Sequence, residues 1–209
     1  MAAPKKHDPN DPKSSPRQAI IAATIAAIEE GGEASVRVTE VAKAAGVTQG
    51  MISYYFRDRE GLVSEANMER FRRATAEDNS ALVEVARTAQ SSHELLNILK
   101  MATRAVVSTE RAINRQVRTS VIGSIANRPE LHAAVATLLD ELVTGTEEVV
   151  KVAKERGMLK PNLNTRAVAE VILSYTQGLI VADLDPNAPS REDIAQVIDH
   201  FLESLIVLD

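Results

Sequence analysis

The chain has 209 residues, 44% of them hydrophobic, with 24 Lys+Arg against 29 Asp+Glu for a net charge of −5. That length suits a small domain fused to a larger one, each with a real core. The absence of cysteine excludes disulfides, thiol nucleophiles and cysteine-ligated zinc or iron–sulfur sites. No stretch approaches the roughly 20 uninterrupted apolar residues of a membrane span. Lys5 and Lys6 are followed by no apolar run, so no secretory signal is read, and a cytoplasmic protein with no membrane partner is expected. The acidity is uneven. Residues 1–73 carry 11 Lys+Arg and 10 Asp+Glu, whereas residues 74–209 carry 13 and 19. A basic face on the first part can therefore meet phosphates while the remainder is repelled by them.

Residues 1–14, rich in Pro, Asp, Asn and Lys, read as a flexible arm. Lys5, Lys6, Lys13 and Arg17 could touch nucleic acid or be simple solvated charge. Ser15 as N-cap, Pro16 at the first helical position and Gln18 then open a helix with Ile21, Ile25 and Ile28 on one face. Gly31-Gly32 ends it. Val38, Val41, Ala42 and Ala45 repeat the helical spacing over a short second helix stopped by Gly46. Thr48 caps a third helix, and Asp58 caps a fourth running from Arg59 past Phe71.

Helical text continues from there. Ser91 with Glu94 opens a helix towards Val107, another runs from about Thr109 to Ala126, and Arg128-Pro129-Glu130 opens a long one ending at Gly157. Asn164 caps the next, and Ser190 with Asp193 starts the last. No strand is read, because the β-branched runs are too long and lack hairpin turns. The expected class is all-α with about nine helices: an arm over 1–14, a helix-turn-helix domain over 15–60 and a helical domain over 61–209.

The informative stretch is VTEVAKAAGVTQGMISYYF, residues 38–56. Val38, Val41, Ala42, Val47, Ile52 and Phe56 form a mini-core between two short helices, and the outward face of the second presents Thr48, Gln49, Met51, Ser53, Tyr54 and Tyr55. Gln can read adenine edges, hydroxyls can pair with any base, and Met51 can pack on a thymine methyl. Tyr hydroxyls and the Gly50 N–H at a helix start suit phosphate oxygens.

Residues 17–73 resemble the DNA-binding domain of the tetracycline-repressor (TetR) family. The family pattern is close to V-x-x-I-A-x-x-A-G-V-S-x-G-x-L-Y-Y-H-F-x-x-K-E-x-L. Val38, Val41, Ala42, Ala45, Gly46, Val47, Thr48, Gly50, Ile52, Tyr54, Phe56, Glu60 and Leu62 stand at matching positions. Ser53 replaces the usual first Tyr, Tyr55 the usual His and Arg59 the usual Lys, while Arg37 stands where a Thr cap is common. The resemblance implies DNA contacts from Arg37, Val38, Thr48, Gln49, Gly50, Met51, Ser53, Tyr54, Tyr55 and Arg59. It further implies a homodimer on a double-stranded operator, released by a small-molecule effector, with repression the commoner role. The segment VVKVAKERGMLKPNLNTRAVAEVILSYTQGL resembles a TetR subgroup that includes choline-responsive regulators, over about residues 130–205.

In the second part, Ile194, Val197, Ile198, Phe201 and Leu205 make one stripe, and the preceding helix, with Val171, is apolar nearly all round. A helix apolar on every side needs two buried faces, so these six residues are expected at a dimer interface. Arg104, Arg115, Thr119, His132, Tyr175 and Gln177 interrupt apolar helical text. They are expected either to reach solvent or to line a pocket for a ligand with an apolar body and a polar or anionic end.

His7, His93, His132 and His200 fit no metal-site spacing. No G-x-S-x-G elbow and no phosphate-binding glycine loop occurs. No metal, cofactor or catalytic residue is therefore expected. The rival reading is a helical ligand-binding protein or enzyme with a vestigial N-terminal domain, which a cluster of convergent titratable groups would mark.

Overall fold

A computed structural model describes residues 15–208, without the side chains of residues 77–87. The arm read over residues 1–14 lies outside the described residues. Among these there are nine helices, the eighth interrupted, and no strand. In chain order they are α1 (Pro16–Gly31), α2 (Val38–Ala45), α3 (Gln49–Phe56), α4 (Arg59–Thr88), α5 (Ser92–Val107), α6 (Ala112–Ser124), α7 (Pro129–Glu155), α8 (Thr165–Gly178, continuing after Leu179 as Ile180–Leu184) and α9 (Arg191–Leu205). The only β-type pairing described is one antiparallel bridge between Leu159 and Ile206.

The boundaries follow local chemistry. The Ser15, Thr48, Ser91, Asn164 and Ser190 side chains each accept the backbone N–H three residues on, satisfying a donor that a helix start leaves open. At Ser91 the capping box closes, because the Glu94 carboxylate accepts the Gln90 N–H at 2.8 Å. Gly46, at φ 68°, ends α2 in the left-handed region and turns the chain into α3 within three residues.

The chain divides into two compact units. The first comprises, among the described residues, 15–71 and 125–133. Its core is Ile20, Ile21, Ile25 and Ile28 of α1, Val41 and Ala42 of α2, Ile52 and Phe56 of α3, and Leu62, Val63 and Ala66 of α4. Ala42, 4% exposed, lets α1 and α2 pack closely. Thr24 is buried among these isoleucines at no hydrogen-bonding cost, since its hydroxyl donates to the Ile20 carbonyl at 2.8 Å.

The second unit comprises residues 72–124 and 134–209. Helix α5 packs along α9, and the core joins Leu95, Leu96 and Ile98 to Val149, Val150, Ala153, Ile198 and Leu202. The chain end is tied down by backbone bonds from the Lys160 N–H to the Leu205 carbonyl, 3.0 Å, and from the Val207 N–H to the Met158 carbonyl, 2.9 Å. One stretch, Thr165–Leu184, is long and apolar enough to cross a membrane by length and composition, and only 17% of it is buried.

Candidate functional site

Helix α3 is held by its inner face. Ile52 and Phe56 are 1% and 4% exposed, while Thr48, Gln49, Gly50, Ser53, Tyr54 and Tyr55 are exposed and Met51 is half-buried. The Tyr54 and Tyr55 rings meet edge-on with centroids 5.1 Å apart, and Tyr54 is 82% exposed. The outer face thus offers an amide, hydroxyls, a thioether and two phenols around a helix start.

The end of α3 is tightly specified. Arg57 adopts φ 62°, and the Gly61 N–H is accepted by the Asp58 carboxylate at 2.8 Å. A Cβ at position 61 would lie 2.3 Å from the Phe56 carbonyl oxygen, so only glycine fits between α3 and α4.

The flanking cations have partners within the unit. Arg59 donates through Nε to the Val36 carbonyl at 3.0 Å and through its other nitrogens to the Glu33 carbonyl and the Glu60 carboxylate. It thus ties down the connection before α2. Arg37 is exposed, places no side-chain cap on α2 and donates to the Ala34 carbonyl at 2.6 Å. Val38 packs against the core. Glu33 accepts from the fully buried Asn67 amide at 2.6 Å and pairs with Arg128 at 2.7 Å, and Arg128 also reaches Glu60. Burial works against the Arg128 charge, but Glu33 and Glu60 outweigh it and raise its pKa. Lys43, exposed in the last turn of α2, is a cation that reading α3 alone overlooks.

In the second unit, α5, α7, α8, α9 and the 159 and 206 positions surround a cavity of about 130 Å³. Of the six residues expected either to reach solvent or to line a pocket, Tyr175 is in the wall of this cavity and the other five are not. Its ring meets Phe201 edge-on at 6.4 Å, and burial pushes the phenol up to about 12, with the neighbouring Thr103 side chain opposing that shift.

The other five are engaged elsewhere. Arg115, 1% exposed, donates twice to Asp183, at 2.6 and 2.8 Å, and to the Val106 and Ser108 carbonyls at 2.7 and 3.0 Å. Arg191 adds a bond to Asp183 at 2.6 Å. The Arg115 hydrogen bonds, with the charges of Arg115 and Arg191, hold the Asp183 carboxyl below its usual range. Arg104 pairs with Asp199 and Glu192. Gln177 donates to Thr119 at 3.0 Å and accepts from Arg118 at 3.0 Å. His132 is exposed on the first unit.

The stripe expected at an interface also divides. Ile198 is buried in the chain's own core, and Ile194, Phe201 and Leu205 pack against it. Val171 and Val197 are 47% and 71% exposed, as are Val181, Leu184 and Leu208 to similar degrees.

Residues 20–66 match the family model described as bacterial regulatory proteins, tetR family. Over that stretch the chain is similar to the DNA-binding domain of that family. The regulator BetI of Yersinia pestis (strain Pestoides F) is 50% identical over 52 residues, which are 25% of this chain and 26% of that protein. The chain thus matches only about a quarter of the length of this curated relative. Across the whole chain the likeness is one of fold. A Rhodococcus sp. structure assigned to the TetR family superposes with a TM-score of 0.66 at 23% identity, covering 92% of this chain and 98% of that one. A Saccharomonospora viridis protein solved in complex with choline gives 0.65 at 17%, covering 92% and 98%.

Proposed function

We propose that the protein is a cytoplasmic, homodimeric transcriptional regulator that binds a palindromic operator and is released from it by a small molecule held in the second unit. The reading rests on one observation: a tetR-family helix-turn-helix whose α3 buries Ile52 and Phe56 and leaves Gln49, Ser53, Tyr54 and Tyr55 facing outward. In this reading Gln49 and Ser53 read base edges, Met51 packs on a thymine methyl, and Thr48, the Gly50 N–H, Tyr54, Tyr55 and Lys43 meet phosphates. Arg37 adds a cation beside them. Arg59 acts by fixing the loop before α2, and Val38 by supporting the mini-core.

Dimerisation is supported by the uncovered apolar groups of α8 and α9. Val171, Val181, Leu184 and Val197 stay exposed although their helices already pack on their own core, and Leu208 just beyond α9 is exposed as well. Apolar residues gathered on neighbouring helices favour a second copy, with α8 and α9 of both forming a four-helix bundle. Two recognition helices then enter successive major grooves roughly 34–36 Å apart. An effector that prefers a wrongly spaced conformer weakens binding by its differential affinity, typically ~1–3 kcal/mol.

Choline itself does not suit the cavity, whose lining holds no carboxylate and one aromatic ring. Selection of duplexes from a random library should return a palindrome at low salt, and Val197→Asp should sediment as a folded monomer with little operator affinity. No enrichment of any sequence would overturn the regulatory reading.

A further inference from the structure

The notable property of the cavity is what its wall lacks. Of nineteen lining residues none is charged, and the polar ones are three threonines and Tyr175. The threonine hydrogens are already committed: Thr103 donates to the Leu99 carbonyl at 3.0 Å, Thr146 to Leu142 at 2.9 Å and Thr176 to Leu173 at 2.8 Å. Each of these hydroxyls can therefore only accept from a ligand. The two arginines that interrupt the apolar text of α5 and α6 lie outside the lining and are occupied, Arg104 by Asp199 and Glu192, and Arg115 by Asp183.

We infer that the cavity binds a compact, uncharged, largely apolar molecule, of single-ring size and carrying at most one hydroxyl. This rests on the reading of the second unit as the effector domain and narrows the chemistry of that effector. Size comes from volume: an engineered apolar cavity of about 150 Å³ holds benzene, and this one is about 130 Å³. Charge is excluded by solvation. An isolated anion or cation moved into an apolar wall loses its hydration and finds no counter-ion. A carboxylate meets three acceptors and a phenol, and an ammonium meets one ring where recognition calls for several. A single hydroxyl is accommodated, because it can donate to the oxygen of Thr146 or Thr176, whose own hydrogens are already engaged.

The test uses the full chain and three probes sharing one ring: benzyl alcohol, benzoate and benzylammonium. Calorimetry and the thermal midpoint should show saturable binding of the alcohol, with both ions binding at least ~100-fold more weakly. Ala102→Phe, which places a ring in the cavity, should abolish alcohol binding with the helical circular dichroism retained. Thr176→Leu narrows the same space with a smaller change and serves if the first variant does not fold. Equal or tighter binding of either ion, no saturable binding of the alcohol, or alcohol binding untouched in both variants would overturn the inference. Retention on a selected operator is measured in parallel. Alcohol binding that leaves retention unchanged would uphold the ligand class and overturn effector control.

Discussion

The two compact units are both helical, yet they use charge in opposite ways. In the first, Glu33, Asn67, Arg59, Arg128 and Glu60 form a network at the edge of an isoleucine-rich core, joining the loop before α2 to α4 and to residues 125–133. In the second, the enclosed carboxylates are each paired, Asp183 with Arg115 and Arg191 and Asp199 with Arg104, while the cavity has no charged wall. Polar side chains in the first unit fix the position of a surface helix. Those in the second tie helix ends and keep the interior free for something apolar. The same residue type, a part-buried arginine, therefore says nothing about ligand binding until its partners are known.

The strongest way to break this contrast is to remove the buried carboxylate. Asp183→Asn leaves Arg115 enclosed with its countercharge gone. Removing one member of a buried pair costs about 3–5 kcal/mol, so denaturant unfolding should shift by that much. A shift below about 1 kcal/mol would place the cluster in effective contact with water.

Next in size is Gly61→Ala in the first unit. The added Cβ meets the Phe56 carbonyl, and relieving it should cost about 1–3 kcal/mol, with operator affinity falling as the end of α3 shifts. Unchanged affinity in a folded variant would show that the α3–α4 turn does not control the reading face.

The cavity gives a pH signature. The Tyr175 phenol is raised to about 12, whereas an unfolded tyrosine titrates near 10. Its neutral form is held by the fold, so its contribution is full below about pH 10 and is lost as pH climbs through about 12. Alkaline unfolding of the native chain should steepen across that window relative to Tyr175→Phe. Identical slopes would put the phenol in contact with solvent.

The smallest effect is expected at Arg57–Glu130, an ion pair at 3.0 Å with both side chains about three-quarters exposed. Glu130→Gln should leave the unfolding midpoint unchanged within error at 0.15 M salt, because solvent screens such pairs. A measurable loss would mean that the 125–133 segment depends on this contact as well as on Arg128.

Much of the fold was legible because its signals are local. Caps at Ser15, Thr48, Ser91, Asn164 and Ser190 need only a short side chain before an apolar periodicity, and Gly46 needs only the left-handed φ that joins α2 to α3. The outward face of α3 was legible for the same reason, since Ile52 and Phe56 dictate which residues turn away.

The cavity was not legible. Interrupting polar residues were expected either to reach solvent or to line a pocket, but burial without a counter-ion is what costs free energy, and Arg104 and Arg115 find their carboxylates on α9 and after Leu179, some 95 and 68 residues away. The lining of this cavity looks like plain core in one dimension. Its one faint mark is threonine at 103, 146 and 176, a residue that can satisfy itself on its own helix. The final stripe divides between the chain's own core and exposed positions for a related reason. Ile198 and Phe201 lie on the face towards α5 and α8, and a period near 3.6 does not say which half of a broad apolar surface faces inward.

The Glu33 carboxylate has a consequence for modular engineering. It joins three chain segments: its own loop before α2, Asn67 on α4, and Arg128 from a stretch that follows α6. The reading head is therefore not a cassette that can be cut out of the linear text. A chimera that grafts residues 1–71 onto a foreign sensor would leave Glu33 and Glu60 facing each other without Arg128. A graft that also carries residues 125–133 would bring the missing cation. Swapping operator specificity between such proteins is accordingly a two-segment transplant, and the shorter segment is the one that an alignment of helix-turn-helix motifs would leave behind.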